Sequence, residues 1–171
     1  WNAHVATGIP LARFGALADT LSVAVSKGLG APAGSLLCSD AATIARARRL
    51  KHAFGGAMRQ AGILAAAGLY ALDHHVQRLA DDHRRARQLA AALADLPHWD
   101  VATPETNLVI ARVRAPWRDA EQLCAPLRAA GVLCFPNAAR EVRFAVHLGL
   151  DDDAIAEATT RIRAALERLA P

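Results

Sequence analysis

The chain has 171 residues, of which 53% are hydrophobic, so it can bury a folded core and is not a disordered tail. Its longest apolar stretch, residues 61–72, contains two glycines and is well short of the roughly 20 residues that cross a bilayer, so we expect no membrane partner. The net charge of +4 would permit nucleic-acid binding, but aromatic residues make up only 5% and do not interleave with the basic runs. We therefore expect no nucleic-acid partner.

The first residues of the chain and its cysteines indicate the cellular compartment that we expect. The first residue is Trp1, and no charged, apolar and small-residue leader follows it, so we expect a piece of a longer, cytoplasmic protein. The three cysteines form no C-x-x-C pair, which favours reduced thiols over a disulfide framework or a zinc site.

The first elements in chain order are two short strands around a glycine-rich loop. Apolar runs predict strands at residues 21–25 and 35–38. Asp40 then stands where a helix N-cap belongs, and the pattern predicts a helix over residues 41–54 that the Gly55-Gly56 pair ends.

The rest of the chain alternates helices and strands. Residues 58–96 have helix-forming composition throughout, which predicts a long connecting helix that ends at Pro97. Further elements are predicted in this order: strands at 99–102 and 107–113, a helix at 119–130 that Pro126 should kink or shorten, strands at 132–135 and 142–148, and a helix at 151–169. This is an α/β chain, for which we expect two domains, residues 1–96 and 97–171.

Lys27 is the first candidate for chemistry. The chain has two lysines against eighteen arginines, and Lys27 is the only charged residue between Asp19 and Asp40, in a segment that we expect to be largely buried. A lysine that forms an imine needs a primary amine, which arginine lacks, and a loop open enough for a flat ring. A lysine on a surface hairpin is the plainer alternative.

Two segments carry a resemblance to a known family. Residues 19–35, DTLSVAVSKGLGAPAGS, and residues 55–68, GGAMRQAGILAAAG, resemble the cofactor-lysine segment and the following glycine-rich stretch of the low-specificity L-threonine aldolases. The opening residues 1–10 and the predicted strand residues 143–148 also fit that family.

The resemblance implies a fold and a set of site residues. The fold would be the C-terminal part of the large domain of a fold-type-I (aspartate aminotransferase-like) pyridoxal-phosphate enzyme, followed by a small α/β domain. Lys27 would hold pyridoxal 5'-phosphate in an imine, with Ser26 and Arg59 near its phosphate. Arg143 would grip the substrate carboxylate with its bidentate fork. On the residues alone, Arg59 and Arg143 could equally be ordinary exposed arginines.

The resemblance also implies a reaction, the cleavage of a β-hydroxy amino acid such as L-threonine or L-allo-threonine to glycine and an aldehyde. The family's ring-nitrogen acid, phosphate loop and stacking histidine lie mostly before the lysine and are absent here, so we expect the 171-residue chain alone to be inactive. The parent protein would be a homotetramer, a dimer of dimers. The alternatives are a related pyridoxal-phosphate β-eliminating lyase for another amino acid, or a non-catalytic interaction fragment.

A histidine-rich stretch is a further candidate, as a metal site. His74, His75 and His83 lie among aspartates, but their spacing and the lack of an H-E-x-x-H pattern favour solvated helix histidines.

Overall fold

The structure is a computed structural model, which describes residues 1–169. The chain folds into two compact units, Trp1–Leu79 and Ala80 onward. The division falls earlier than the domain boundary that the sequence predicts after residue 96. The assignment of residues 1–96 and 97–171 to two domains stays a prediction.

The first unit is built around a small hairpin. Its elements are α1 (Asn2–Thr7), α2 (Leu11–Gly15), β1 (Leu21–Ala24), β2 (Ser35–Cys38), α3 (Ala41–Ala53) and α4 (Gly62–His74). The strands pair antiparallel, with Leu21 opposite Cys38 and Ala24 opposite Ser35. Both strands and α3 were predicted, whereas the short helices α1 and α2 were not.

The ends of α3 follow from local chemistry. The Asp40 carboxylate accepts a hydrogen bond from the Thr43 backbone N–H at 2.9 Å, which confirms the predicted N-cap. At the other end, Gly55 has a φ of 73°, the left-handed conformation that glycine adopts without strain and that ends many helices.

The second unit is a four-stranded antiparallel sheet covered by helices. Its elements are α5 (Leu79–Ala94), whose first residue belongs to the first unit, β3 (Trp99–Val101), β4 (Leu108–Val113), α6 (Glu121–Ala129), β5 (Phe135–Ala138), β6 (Glu141–Ala145) and α7 (Asp152–Glu167). The strand order is β3-β4-β6-β5. Twenty-two buried side chains from the helices and the sheet form one apolar core, which includes Trp99, Val142 and Ile162.

Two predicted elements were wrong. The long helix is broken into α4 and α5 at residues 75–78, where His75 and Leu79 contact the loop after β1 instead of continuing one regular helix. The strand predicted at 132–135 lies at Phe135–Ala138, because the Val132 N–H donates to the Leu127 carbonyl and closes the end of α6, leaving the sheet ladder to begin at Phe135.

Pro126 lies within α6, which begins two residues later than predicted. Within residues 1–169, every helix is too short or too polar to serve as a membrane span.

Candidate functional site

Lys27 lies on the turn that follows β1. Residues 25–30 leave the strand and fold back, with the Gly30 N–H donating to the Lys27 carbonyl at 2.9 Å and the Ala31 N–H donating to the Val25 carbonyl at 3.0 Å. We call residues 25–31 the Lys27 turn. Val25, Leu29 and Ala31 are buried and anchor it, and Gly30 has a φ of 71°, a conformation that glycine adopts readily.

Two side chains from elsewhere in the first unit hold the backbone on either side of Lys27, one at the end of β1 and one within the turn. The Trp1 indole Nε1–H donates to the Ala24 carbonyl at 2.9 Å. The His75 imidazole Nδ1 lies 2.6 Å from the Leu29 carbonyl oxygen, and a carbonyl oxygen can only accept, so Nδ1 carries the proton and donates. Neither contact could be predicted from the sequence, since 23 and 46 residues separate the partners and no local pattern indicates them.

The turn also lies close to the buried Leu79 side chain. A Cβ placed on Gly28 would come within 3.0 Å of the Leu79 Cδ2 atom, closer than such atoms normally approach. Glycine next to Lys27 is therefore explained by this close packing rather than only by room for a ligand.

The expectation that the Lys27 segment is largely buried was wrong. Ser26 and Lys27 are both exposed. The hairpin has only two strands, and Leu36 and Leu37, which point to opposite faces, are 42% and 48% exposed. A hairpin that is not covered on either face cannot enclose the lysine beside it.

Arg59 and Ser26 belong to the same unit as Lys27. Arg59 is exposed and lies in the turn directly before α4, which begins at Gly62 and not at residue 58 as predicted. Within the residues that the structure describes, neither side chain makes a hydrogen bond or ion pair, so both polar groups are available to a ligand.

Arg143 lies in β6 in the second unit. It is half-buried, between buried Val142 and Phe144, whose side chains point to the opposite face, as the predicted alternation requires. Two other arginines of the second unit have carboxylate partners: Arg112 pairs with Glu141 and Arg114 with Asp100. In residues 1–169 the Arg143 guanidinium has no such partner.

The histidines around the α4–α5 break are not all solvated, contrary to the sequence prediction. His83 is only 3% exposed and Asp82 is fully buried. Burial lowers the pKa of His83, the positive charge of Arg87 lowers it further, and Asp82 opposes the shift. No set of three or more histidine, cysteine, aspartate or glutamate side chains within residues 1–169 is arranged to hold a metal ion.

Comparison with solved structures defines the fold of the chain. The chain superposes on a candidate L-allo-threonine aldolase from Listeria monocytogenes EGD-E with a TM-score of 0.75 at 18% identity, covering 99% of this chain and 50% of that one. It superposes on the N-acetylornithine aminotransferase of Stenotrophomonas maltophilia K279a with a TM-score of 0.65 at 21% identity, covering 88% and 40% of the two chains. The predicted fold class, that of fold-type-I pyridoxal-phosphate enzymes, is confirmed.

Comparison of sequences defines the family. The sequence model of the beta-eliminating lyases matches residues 1–116, and the chain belongs to that family. It is 40% identical over 168 residues to the low specificity L-threonine aldolase of Escherichia coli (strain K12), covering 98% of this chain and 49% of the relative. The chain thus spans about half the length of the curated relatives it matches.

The exposure and the backbone contacts of the Lys27 turn are compatible with a lysine-bound pyridoxal phosphate. Lys27 is exposed, while the backbone of the turn is anchored by the buried side chains of Val25 and Leu29. At Gly28 the backbone packs closely against the Leu79 side chain. An accessible amine on a rigid support is the arrangement that covalent attachment of a cofactor requires.

Proposed function

We propose that this chain contributes the lysine-bearing half of a pyridoxal-phosphate-dependent aldolase that cleaves L-threonine or L-allo-threonine to glycine and an aldehyde. The observation that carries the proposal is the Lys27 turn, which presents an exposed primary amine on an anchored backbone. The family membership and the 40% identity to a low specificity L-threonine aldolase support the choice of reaction.

Each predicted site residue has a role that its chemistry suits. Lys27 joins the cofactor through its amine, and Ser26 and Arg59 offer a hydroxyl and a guanidinium to the phosphate. Arg143 offers a fork of donors, free of any carboxylate in residues 1–169, to the carboxylate of the substrate. These four assignments are part of the proposal.

The bond changes of the reaction are simple. The Cα–Cβ bond of the substrate breaks, the β-hydroxyl loses its proton as the aldehyde carbonyl forms, and Cα takes up a proton to give glycine. Pyridoxal phosphate, when bound, supplies the electron sink for the pair that the broken bond leaves on Cα. The chain's own contribution is to hold the cofactor at Lys27 and to orient the substrate at Arg143.

The cofactor part of the proposal is tested by labelling. The chain is incubated with pyridoxal phosphate and reduced with borohydride, which fixes the cofactor to the lysine it has joined, and the label is located by mass spectrometry. We expect preferential labelling of Lys27. Lys51, the other lysine, lies on α3 and is an internal control, since it is also exposed. Equal labelling of the two lysines would count against the proposal.

The reaction is tested by product release. We expect no glycine from L-threonine with the 171-residue chain and cofactor, because the chain spans about half the length of its relatives. The full-length product of the gene should release glycine, and Lys27→Arg, which keeps the charge but cannot form an imine, should lower kcat by about a thousandfold or more. Activity of the isolated chain would show that its own residues suffice.

A second candidate follows from the family description, beta-eliminating lyase, which includes removal of a β-substituent from another amino acid. The two reactions differ in their products. Glycine and an aldehyde support the aldolase, whereas ammonia and a 2-oxo acid from an amino acid with a leaving group at Cβ support the lyase. We also propose, from the resemblance, that the full-length protein is a homotetramer that works in the cytoplasm.

A further inference from the structure

His75 is a half-buried histidine at the C-terminal end of α4, and the reaction proposed above assigns it no role. Its Nδ1 atom lies 2.6 Å from the carbonyl oxygen of Leu29, a residue 46 positions earlier and two beyond Lys27. Leu29 itself is 1% exposed, so this carbonyl belongs to a part of the turn that cannot move without disturbing its anchor.

The direction of this hydrogen bond is determined by its acceptor. Because the Leu29 carbonyl has no proton to give, the His75 Nδ1–H group must donate.

The imidazole is itself held in place. The Tyr70 ring, one helical turn earlier on α4, contacts it edge-on, with ring centroids 5.5 Å apart and an interplanar angle of 84°. The backbone N–H of His75 donates to the Ala71 carbonyl at 2.9 Å, and Ala71 is 1% exposed. The donor thus extends from a fixed helix end.

Side-chain hydrogen bonds hold the backbone both before and after Lys27. Trp1 holds the Ala24 carbonyl three residues before Lys27, and His75 holds the Leu29 carbonyl two residues after it. Within the turn, the Gly30 N–H donates to the Lys27 carbonyl. Loss of the His75 contact would remove the side-chain hydrogen bond that holds the Leu29 carbonyl.

We propose that His75 is a positioning residue, which fixes the Lys27 turn through the Nδ1–H···O=C bond to Leu29 so that the lysine amine is presented to the cofactor. The proposal rests on the proposed function, because it concerns the same lysine. His75 acts through the backbone and touches neither substrate nor cofactor in this role.

The first test needs no cofactor. Amide hydrogen exchange is measured by NMR at Gly30 and Ala31, whose N–H groups close the turn, in the 171-residue chain. His75→Phe keeps a ring but removes the donor, and should speed exchange at both amides by on the order of tenfold. His75→Asn places an amide N–H near the position of Nδ1 and should restore slow exchange.

Two variants serve as controls. His74→Phe changes the adjacent histidine, which stacks on Tyr70 with centroids 4.3 Å apart, and should leave exchange in the turn unchanged. If His75→Phe fails to fold, His75→Gln, whose amide nitrogen lies one bond farther from the backbone, is compared with His75→Asn instead. Exchange at Ala71, which is buried in the apolar core of the first unit, reports the stability of that unit in every variant.

The second test uses borohydride labelling of Lys27 by pyridoxal phosphate, with Lys51 as the internal reference. We expect His75→Phe to slow labelling of Lys27 relative to Lys51 by about five- to tenfold, and His75→Asn to recover most of the loss. A structural effect spread over the whole unit would change both lysines or would appear equally in His74→Phe.

The outcomes separate the two proposals. The positioning role would be overturned if His75→Phe kept slow amide exchange in the turn and normal labelling of Lys27. Equal losses of labelling in His75→Phe and His75→Asn would also overturn it. Fast exchange in His75→Phe with unchanged labelling would overturn it as well. If wild-type Lys27 is labelled no faster than Lys51, the proposed function is wrong. The positioning role is then wrong as well, even if amide exchange shows that the His75–Leu29 hydrogen bond exists.

Discussion

Two of the three cysteines in the chain are buried in the core of the second unit. Cys124 and Cys134 are 0% and 1% exposed, whereas Cys38, in β2, is exposed, and all three are free thiols. Burial raises the pKa of Cys124. Burial, with the charge of nearby Cys124, raises the pKa of Cys134 to about 12. The thiolate is the reactive form, so both buried cysteines should be inert near neutral pH.

We predict that one cysteine per folded chain, Cys38, reacts rapidly with iodoacetamide at pH 8. Mass spectrometry of the alkylated peptides identifies the site, and in denaturant all three should react at similar rates. Rapid alkylation of Cys134 in the folded chain would show that the core of the second unit opens far more readily than its packing indicates.

His98 gives the second unit a pH-dependent stability. It is 6% exposed, its Nε2–H donates to the Leu166 carbonyl at 3.1 Å, and within residues 1–169 its buried Nδ1 atom has no hydrogen-bond partner. Burial lowers the pKa of His98 below its ordinary value of 6.5, and the hydrogen bond to Leu166 only partly opposes that shift. Protonation would place a new N–H at Nδ1, for which the described part of the chain offers no acceptor.

We predict that the free energy of unfolding falls as the pH drops below 6.5. Above that value His98 is neutral in both the folded and the unfolded chain, so it adds no pH dependence. Below it the unfolded chain takes up the proton first, with a slope of at most about 1.4 kcal/mol per pH unit for one proton, until the folded pKa is reached.

Urea unfolding followed by circular dichroism between pH 5 and pH 8 measures this slope. His98→Gln retains a side-chain N–H for Leu166 and cannot titrate, so it should reduce the slope. His83, whose pKa burial also lowers, contributes with the same sign and should maintain part of the slope in that variant. An identical slope in wild type and His98→Gln would contradict the assignment.

At the scale of elements, α7 begins with a side-chain cap. The Asp151 carboxylate accepts a hydrogen bond from the Ala154 backbone N–H at 2.8 Å, which satisfies one of the unpaired donors in the first turn. Asp152 follows it and pairs with Arg84 and Arg85 from α5. Asp153 is acidic in the same turn but makes no capping bond, and provides a matched control.

We predict that Asp151→Ala lowers the free energy of unfolding by about 1 kcal/mol, the usual cost of a lost N-cap. Asp153→Ala loses only the interaction with the helix dipole and should cost about half as much or less. Urea titration of both variants measures the difference. Equal losses would mean that charge near the helix end, rather than the cap, stabilises α7.

Most elements could be predicted because their signals are local. The alternation at Val142, Phe144 and Val146 follows from the pleat of a strand with one buried face, and the Asp40 cap is read within three residues. The start of β5 could not be predicted, because apolar Val132 and Cys134 fill the core from a segment outside the ladder. An apolar sequence pattern predicts that a segment is buried, but it does not predict which backbone groups the segment hydrogen-bonds to.

At the scale of the whole molecule, the two units differ in how well they bury their apolar side chains. The second unit has a core of 22 buried residues, whereas the first buries only Val25, Leu29, Ala31, Ala71 and Leu79. The position of Lys27 on a glycine-rich turn could be predicted, but its exposure could not, since apolar flanking residues indicate burial only when another element covers them.

The first unit leaves large apolar side chains in solvent. The most exposed are Phe54 at 85%, Leu17 at 84% and Ile63 at 79%, followed by Met58 at 63% and Leu69 at 62%. Isolated exposed leucines are common in soluble proteins, but contiguous apolar surface normally contacts another protein surface. Ile63 and Leu69 lie on one helix, α4, of which only Ala71 is buried, so this helix carries much of the uncovered surface.

We predict that the 171-residue chain self-associates through the first unit and that Ile63→Ser with Leu69→Ser shifts it toward monomer. Sedimentation velocity over a range of concentrations measures the change. Leu133→Ser removes an apolar side chain that is 77% exposed in the second unit and should leave the association unaltered. Each substitution removes a similar apolar area. A larger loss of self-association in Leu133→Ser would therefore show that the associating surface lies on the second unit.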